Sequence, residues 1–394
     1  MSQPPSSYQL ENYQNEIYLT GLADEVPDLP ADPGALEEAA RAILSPRAFW
    51  YIAGSAGSGD TARENREALR RWRIAPRMLT DVSAACYETE VLGARLPVPM
   101  MLAPVGVLQI AHEAGESAVA RAAAALGIPM ILSTMSSTPM EEVAAASGDG
   151  QRWYQLYWPS DRKVAASFLE RAQAAGFTGL VVTLDTRMLS WRPHDLDNAY
   201  LPFLRGIGVQ NFLSDPAFQA GLAAGVEEDP SAAILRYTQI FGDPSLTWDD
   251  LPFLREHWTG PVLLKGILTD ADARRAADAG VDGIVVSNHG GRQVDGAIGA
   301  LDALPSIATA VGSELTVLFD GGIRGGADML KALALGARAV LIGRPYAYAL
   351  ALGGEAGVAH VLRSLRNDFE LTMRLSGYAS LDQLSPAALI RRPG

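Results

Sequence analysis

The stretch TVLFDGGIRGGADMLKALALGARAVLIGRP (residues 316–345) contains one complete structural repeat and the start of the next. An apolar run at 316–323 leads through a Gly-rich turn into an Ala- and Leu-rich segment, and a second apolar run follows at 339–345. Both runs are continuous rather than alternating, which is typical of strands buried on both faces of a parallel sheet. The stretch therefore predicts a strand, a helix and a second strand parallel to the first.

The same pattern begins near residue 98 and accounts for most of the chain. Eight apolar runs lie in series, most of them starting roughly 22 to 33 residues apart, and helical segments with capping signals separate them. Eight strand–helix units in series predict a (β/α)8 TIM barrel, with a doubly wound parallel sheet as the alternative. The runs are Val98–Pro104, Pro129–Thr134, Trp153–Tyr157, Gly179–Asp185, Pro261–Ile267, Gly283–His289, Thr316–Ile323 and Ala339–Pro345.

The regions outside these repeats define the domain organisation. Residues 1–30 are expected to form an extended, Pro-rich arm, followed by a helix with Asp32 as its N-cap and Pro33 as its first residue. The Gly- and Ser-rich segment YIAGSAGSGD (51–60) predicts a loop. We expect one domain, with an N-terminal arm and helices at 1–75 and the barrel at 76–394. The long gap after the fourth run predicts an insertion at 190–255 that acts as a lid over the active-site mouth.

Composition excludes several classes of protein. The chain has 394 residues and a net charge of −13, which argues against nucleic-acid and membrane partners because both need clustered Lys and Arg. The single cysteine, Cys86, and the absence of a signal-like N-terminus lead us to expect a cytoplasmic protein. No paired His or Cys spacing indicates a metal site, and neither a GxSxG elbow nor a Walker-type loop is present.

Polar residues interrupt the apolar runs at the ends where barrel enzymes carry their chemistry. Reactive side chains of this kind follow seven different strands, an arrangement that a structural protein would not need. They are Ser133, Thr134, Gln155, Tyr157, Thr183, Asp185, Lys265, Ser287, Asn288, His289, Arg292, Asp320, Arg324, Gly343 and Arg344.

The last two strand ends indicate a phosphate site. DGGIRGG (320–326) and IGRP (342–345) place glycines and arginines just after the seventh and eighth strands, where barrels usually bind phosphate. Backbone N–H groups there can approach an anion closely, and Arg324 and Arg344 supply positive charge. The alternative is that each motif is only a turn.

Two further positions indicate chemistry at the rim. Lys265 lies in the apolar strand PVLLKGI, so its amine must meet an anion in the cavity or extend along the rim into water. His289 lies in SNHGGRQ, three residues before Arg292, and Asp185 could stabilise its imidazolium form. The alternatives are a satisfied core histidine, and helix caps for Asp185 and Asp320.

These motifs together resemble the FMN-dependent 2-hydroxy-acid oxidase and dehydrogenase family. SNHGGRQ (287–293), DGGIRGGADMLKALALGA (320–337) and IGRP carry the resemblance, which extends from Tyr51 to about Leu384. Within the family, the segments NEIYLTGL (15–22), QLYWPSDR (155–162) and PFLRG (202–206) are most similar to those of the lactate 2-monooxygenases. Met135 and Arg187 depart from the common family pattern, in which Trp and Pro are frequent at these positions.

The resemblance implies FMN as cofactor and a role for each residue at the rim. His289 would be the base and Asp185 its partner, while Arg292 and Tyr51 would hold the substrate carboxylate, with Tyr157 and Arg192 beside them. From residues alone, Tyr51 and Tyr157 could be packing aromatics, and Arg192 could brace the insertion. Lys265 would face the flavin ring. The other implied cofactor contacts are Ala103, Pro104, Val105, Gly106, Ser133, Gln155, Thr183, Ser287, Asp320, Gly322, Arg324, Gly343 and Arg344.

The implied reaction is oxidation of a small L-2-hydroxy acid, with L-lactate giving acetate, CO2 and water. The lid and Gly106, which is expected to leave room beside the flavin, favour this monooxygenase outcome. The alternatives are an oxidase that releases 2-keto acid and H2O2, a dehydrogenase with another acceptor, a flavin-dependent isomerase and a non-catalytic flavin-binding barrel. Hydride transfer and α-proton abstraction would use the same residues. We also expect a homo-oligomer, a tetramer or larger.

Overall fold

The computed structural model describes residues 12–392 and shows a closed barrel of eight parallel strands. The barrel runs in the order β10-β11-β4-β5-β6-β7-β8-β9, and every barrel strand coincides with one of the predicted apolar runs, with β6 starting one residue before its run. The predicted TIM barrel is therefore confirmed. The strands are β1 Trp72–Ile74, β2 Thr89–Val91, β3 Ala94–Leu96, β4 Met100–Leu102, β5 Met130–Ser133, β6 Arg152–Leu156, β7 Leu180–Thr183, β8 Val262–Ile267, β9 Gly283–Val286, β10 Thr316–Phe319, β11 Ala339–Ile342 and β12 Leu389–Arg391.

The interior of the barrel is packed with apolar side chains. Each barrel strand contributes at least one residue to a buried cluster, and the apolar residues next to these in the strands belong to a second cluster shared with the helices, as side-chain alternation along a strand requires. The hairpin β2–β3 closes the end where the strands begin, because Val91, Ala94 and Leu96 join the interior cluster. The interior residues of the strands are Met101, Ile131, Trp153, Val181, Leu263, Val285, Leu318, Ala339 and Leu341.

Helices surround the barrel, and several begin at side-chain caps. Asp32 Oδ1 accepts a hydrogen bond from the N–H of Ala35 at 2.7 Å, so the predicted helix start at Pro33 is confirmed. Within residues 12–392 no helix has the length and apolar character that a membrane crossing requires. The helices are α1 Tyr13–Thr20, α2 Pro33–Ile43, α3 Pro46–Ala53, α4 Asp60–Arg71, α5 Gly115–Ala125, α6 Met140–Ser147, α7 Arg162–Ala174, α8 Pro193–Asp197, α9 Gln210–Leu213, α10 Pro216–Gln219, α11 Pro230–Ile240, α12 Pro252–His257, α13 Asp270–Asp278, α14 Ala300–Val311, α15 Gly326–Ala334 and α16 Arg344–Leu375.

Two predictions about the N-terminal region were wrong. Residues 1–11 lie outside the described part, but 13–20 form α1 rather than an extended arm, because the Tyr13 hydroxyl contacts Nδ1 of His360 on α16 at 2.6 Å. The loop expected at 51–60 starts only at Gly54. Ser45 caps α3 and Pro46 occupies its first position, so the helix continues through Tyr51 to Ala53.

The insertion between β7 and β8 is largely anchored rather than free. Phe212, Phe218 and Tyr237 are buried, and Arg171 of α7 forms an ion pair with the buried Asp215 at 3.0 Å. Trp191, near the start of the insertion, is exposed. Lid movement of the insertion at 190–255 remains a prediction.

Candidate active site

The ends of the barrel strands meet at one cavity, whose empty volume is about 1130 Å³ including the part that opens to solvent. The strand register places Ser133 beside Gln155 and Thr183 beside Lys265. Four predicted residues, Gln155, Thr183, Asp185 and Ser287, do not line the cavity itself but lie beside residues that do. The predicted residues that line it are Tyr51, Ala103, Pro104, Val105, Gly106, Ser133, Tyr157, Arg192, Lys265, His289, Arg292, Asp320, Gly322, Arg324, Gly343 and Arg344.

His289 lies at the centre of a hydrogen-bonded group at the ends of β6, β7 and β9. Its Nδ1 atom is 2.7 Å from Asp185 Oδ1, and the Tyr157 hydroxyl is 3.3 Å from its Nε2 atom. The Thr186 hydroxyl donates to Asp185 Oδ1 at 3.0 Å. Asp185 therefore holds one ring nitrogen, and the other faces Tyr157, where a substrate hydroxyl could bind.

The protonation states of this pair suit a base. Burial opposes the charged form of Asp185, but the charges of His289 and Lys265 outweigh it and lower the pKa of Asp185 to about 2. Burial lowers the pKa of His289 below its ordinary value, although the Asp185 carboxylate acts in the opposite direction. At neutral pH the Asp185 carboxylate thus orients a neutral imidazole, which can accept a proton.

Lys265 is buried in the barrel mouth, so its amine does not extend into water. Its Nζ atom donates to Ser287 Oγ at 2.9 Å and lies 3.2 Å from Asp320 Oδ2. Burial disfavours the ammonium charge, but Asp320 and Asp185 outweigh it and raise the pKa of Lys265. Among residues 12–392 the carboxylate in ion-pair contact with Lys265 is therefore Asp320, and Lys265 also lines the cavity.

Arg292 supplies a partly buried positive charge with no carboxylate in ion-pair contact among residues 12–392. Its Nη1 atom donates to the carbonyl oxygen of Gly54 at 2.8 Å, and its guanidinium carbon lies 5.6 Å from the centre of the Tyr51 ring. Burial, with the charges of Arg192 and Arg344, lowers the pKa of Arg292 to about 9. The group stays charged at neutral pH, and a carboxylate ligand would compensate it.

Arg192 lines the cavity and also connects the insertion to the loop that follows β9. Its Nε atom donates to the carbonyl oxygen of Arg292 at 3.1 Å and its Nη2 atom to Gln293 Oε1 at 2.7 Å. Gln293 in turn donates to the backbone carbonyl of Asp185 at 2.9 Å. A chain of hydrogen bonds thus joins the insertion to the residue that orients His289.

Arg324 and Arg344 follow the seventh and eighth barrel strands as predicted. Burial, followed by the nearby charge of Arg344, lowers the pKa of Arg324 to about 10. Arg344 donates to the carbonyl oxygens of Gly54 and Gly290 at 2.9 and 3.0 Å. In the described part of the chain neither guanidinium forms an ion pair with a carboxylate, which fits a site for an external phosphate.

Buried polar atoms around the cavity fit a flavin. Within residues 12–392, Gln155 Nε2, Thr183 Oγ1 and Asp320 Oδ1 are buried without hydrogen-bond partners. Such atoms are costly unless a ligand satisfies them. A ring system with donors and acceptors along its edge would engage Gln155 and Thr183, and a hydroxylated chain ending in phosphate would extend from Asp320 to Arg324 and Arg344.

The remaining wall of the cavity is apolar, and one prediction about it was wrong. Met135, Phe203 and Phe241 line the cavity, and the last two come from the insertion. Gly106 was expected to leave room beside the flavin, but a Cβ atom there would lie 2.6 Å from the carbonyl oxygen of Met135. The space is filled by the neighbouring loop. Arg187 is exposed and does not line the cavity.

Sequence reasoning missed several supporting residues. Thr186 and Gln293 contact the Asp185 region, and Gly266, at φ 110°, lies where a Cβ atom would be 3.0 Å from Asp185 Cβ. A register shift in β8 at this glycine, of the kind found beside active sites, makes room for the carboxylate. The glycine within PVLLKGI was a signal for that irregularity. Phe203 and Phe241 lie in the insertion, where no periodic pattern marks a pocket residue.

The fold and the site define a TIM-barrel oxidoreductase with an anion-binding flavin site. The family model for FMN-dependent dehydrogenase matches residues 40–391, and the chain belongs to this family of FMN-dependent enzymes that oxidise 2-hydroxy acids.

Similar proteins act on several 2-hydroxy acids. The chain is 46% identical to the FMN-dependent alpha-hydroxy acid dehydrogenase qulF of Penicillium citrinum, over 95% of this chain and 94% of that protein. It is 42% identical to the L-lactate oxidase of Lysinibacillus sphaericus, over 96% and 97% of the two chains. A crystal structure of mandelate oxidase with (S)-4-hydroxymandelic acid superposes with a TM-score of 0.81 at 40% identity, over 92% and 98% of the chains.

Proposed function

We propose that this chain oxidises a small L-2-hydroxy acid and that L-lactate is its substrate. The observation that carries the proposal is the placement of two groups in one cavity: the partly buried Arg292 guanidinium, which has no carboxylate in ion-pair contact in the described chain, and the Asp185-bound imidazole of His289. The first suits a carboxylate and the second a hydroxyl on the adjacent carbon. Met135, Phe203 and Phe241 offer an apolar surface for a short alkyl substituent.

Each residue then has a defined task. Arg292 and Tyr51 bind the substrate carboxylate, and the substrate hydroxyl contacts both the Tyr157 hydroxyl and His289 Nε2, which lie 3.3 Å from each other. His289 takes the hydroxyl proton at Nε2, while Asp185 stabilises the resulting imidazolium at Nδ1. FMN, when bound, accepts the two electrons that leave the substrate. The Lys265 ammonium stabilises negative charge that develops beside it.

For the second half of the reaction we propose the monooxygenase outcome. The insertion covers the cavity with Leu189, Phe203 and Phe241, which would retain the keto acid while oxygen reacts. Lactate and O2 first give pyruvate and H2O2; the retained pyruvate and H2O2 then give acetate, CO2 and water. Oxidase chemistry, in which both first products leave, is the second candidate because of the similarity to L-lactate oxidase.

An oxygen-electrode assay separates these outcomes. We expect lactate-dependent oxygen uptake that catalase does not change, with acetate as product. Pyruvate as product, together with oxygen release on catalase addition, would establish the oxidase. If lactate fails to bleach the flavin under anaerobic conditions while glycolate, mandelate or a longer 2-hydroxy acid succeeds, lactate is the wrong substrate.

We also propose that the protein acts in the cytoplasm as a homo-oligomer of four or more subunits. The single, exposed Cys86 supports a reducing compartment. Light scattering on the purified holoenzyme would give the subunit number, and a monomeric mass would contradict the proposed assembly. Fractionation of the source cells would test the location.

A further inference from the structure

A buried pair of amides joins helix α4, which lies outside the barrel, to the loop that carries His289. Asn65 Nδ2 donates to Asn288 Oδ1 at 2.8 Å, and Asn288 Nδ2 donates to Asn65 Oδ1 at 2.7 Å. Both side chains are buried. Asn65 Oδ1 also accepts from the N–H of Ala300 at 3.0 Å, and Asn288 Nδ2 also donates to the carbonyl of Ile298 at 3.0 Å. The pair is thereby fixed in one orientation.

The turn that follows Asn288 is strained. His289, Gly290 and Gly291 have φ angles of 59°, 64° and 76°, and a left-handed conformation costs a residue with a side chain roughly 1–2 kcal/mol. Asn288 Oδ1 accepts from the N–H of Gly291 at 3.2 Å and so closes the turn. A conformation of this kind persists only where its surroundings hold it.

The N-terminal region holds the other end of the same turn. The N–H of Ala56 donates to the carbonyl of Gly291 at 2.9 Å. A Cβ atom at Gly291 would lie 2.5 Å from the backbone nitrogen of Ala62, so α4 packs directly against the loop. The backbone direction at His289, and with it the direction of the imidazole, is therefore set from outside the cavity.

We propose that Asn65 is a positioning residue for the imidazole of His289 and acts on it through Asn288. Asn65 is not among the residues that line the cavity. The inference rests on the proposed role of His289 as the base. If it holds, a residue of α4 contributes to proton removal from the substrate by supporting His289.

The test uses holoenzyme variants at this position. Asn65→Leu removes every polar contact, and Asn65→Asp keeps the oxygen that accepts from Ala300 and Asn288 but removes the donor to Asn288. We expect anaerobic flavin reduction at saturating substrate to slow roughly 10- to 100-fold, because small misplacement of a catalytic group has effects of this size. Substrate affinity and the flavin absorption spectrum should stay close to those of the wild type.

Thr61→Val is the matched control. Thr61 is also a buried polar residue of α4, but its hydroxyl contacts Val294 and Ala297 rather than Asn288. We expect this variant to lose thermal stability without slowing flavin reduction. An equal slowing in Thr61→Val would show that any loosening of α4 has this effect, and would overturn the proposal.

A second set of variants separates positioning from general damage. In a His289→Gln background, Asn65→Leu should have little further effect, since two residues that act as a unit are not additive. If Asn65→Leu slows flavin reduction in the His289→Gln background as much as it does in the wild type, Asn65 is not a positioning residue. Wild-type reduction rates in both Asn65 variants would have the same meaning, and neither result would contradict the role of His289 as the base. Loss of FMN and of folding in both Asn65 variants would assign Asn65 a structural role and would also overturn the positioning role. Wild-type reduction by His289→Gln itself would overturn the proposed base.

Discussion

Nδ1 of His289 lies 2.7 Å from Oδ1 of Asp185, although one residue follows β9 and the other follows β7. The contact assigns each nitrogen of the imidazole a separate task, because the atom held by the carboxylate cannot also meet the substrate. We expect His289→Gln to slow anaerobic flavin reduction by a factor of roughly 10² to 10⁴, the usual contribution of a general base, while FMN remains bound. Stopped-flow absorbance measures the rate. His257→Gln, on the distant helix α12, should reduce its flavin normally.

The pH dependence of kcat/KM should follow the protonation of His289. Because burial holds the pKa of His289 below its ordinary value, activity should rise with pH at the acid side and be fully developed by about neutral pH. The Asp185 carboxylate raises that pKa, so Asp185→Asn should move the rising limb to lower pH and also lower its plateau. A limb that moves to higher pH in Asp185→Asn would contradict this assignment.

Removal of Lys265 should destabilise the fold, because it leaves a buried carboxylate without a compensating charge. Lys265→Met leaves Asp320 without the ammonium 3.2 Å away, and we expect the free energy of unfolding to fall by about 3–5 kcal/mol in urea titrations. Lys265→Met combined with Asp320→Asn should be more stable than Lys265→Met alone, since both charges are then absent. If the double variant is instead less stable than Lys265→Met, the loss of stability in Lys265→Met does not come from the unpaired Asp320 carboxylate.

Substrate affinity should depend on the charge of Arg292. Arg292→Met removes the guanidinium from the cavity wall, and a charge-assisted hydrogen bond is worth about 1.5–3 kcal/mol, so the KM for the 2-hydroxy acid should rise roughly 10- to 100-fold. Steady-state kinetics would show it. Arg187→Met changes an exposed arginine that precedes the insertion and does not line the cavity, and its KM should match that of the wild type. Equal KM values in the two variants would contradict the proposal that Arg292 binds the substrate carboxylate.

Gly106 should tolerate no side chain, even a methyl group. In Gly106→Ala the new Cβ would meet the Met135 carbonyl at 2.6 Å, and overpacking of this kind costs about 1–3 kcal/mol. We expect a lower melting temperature of the holoenzyme by calorimetry. An unchanged melting temperature would mean that the loop after β5 moves aside freely, and that Gly106 does leave usable space.

Much of this protein follows from the sequence alone. The eight apolar runs are continuous because each strand is buried on both faces, and each run shows this pattern in its own residues. Asp32 and Pro33 determine the start of α2 through contacts within four residues. The polar residues at the ends of the runs predicted the cavity lining because barrel topology brings all strand ends to one rim.

Other features depend on contacts between residues far apart in sequence, which no local pattern records. Helix α1 packs through Tyr13 on His360, the anion beside Lys265 is Asp320, and the space at Gly106 is filled by Met135. The left-handed backbone of His289 follows Asn288, whose amide pairs with that of Asn65, 223 positions away. Local sequence fixes which residues form strands and which residues reach the rim; only the packing of distant segments decides which groups meet there and how each is charged.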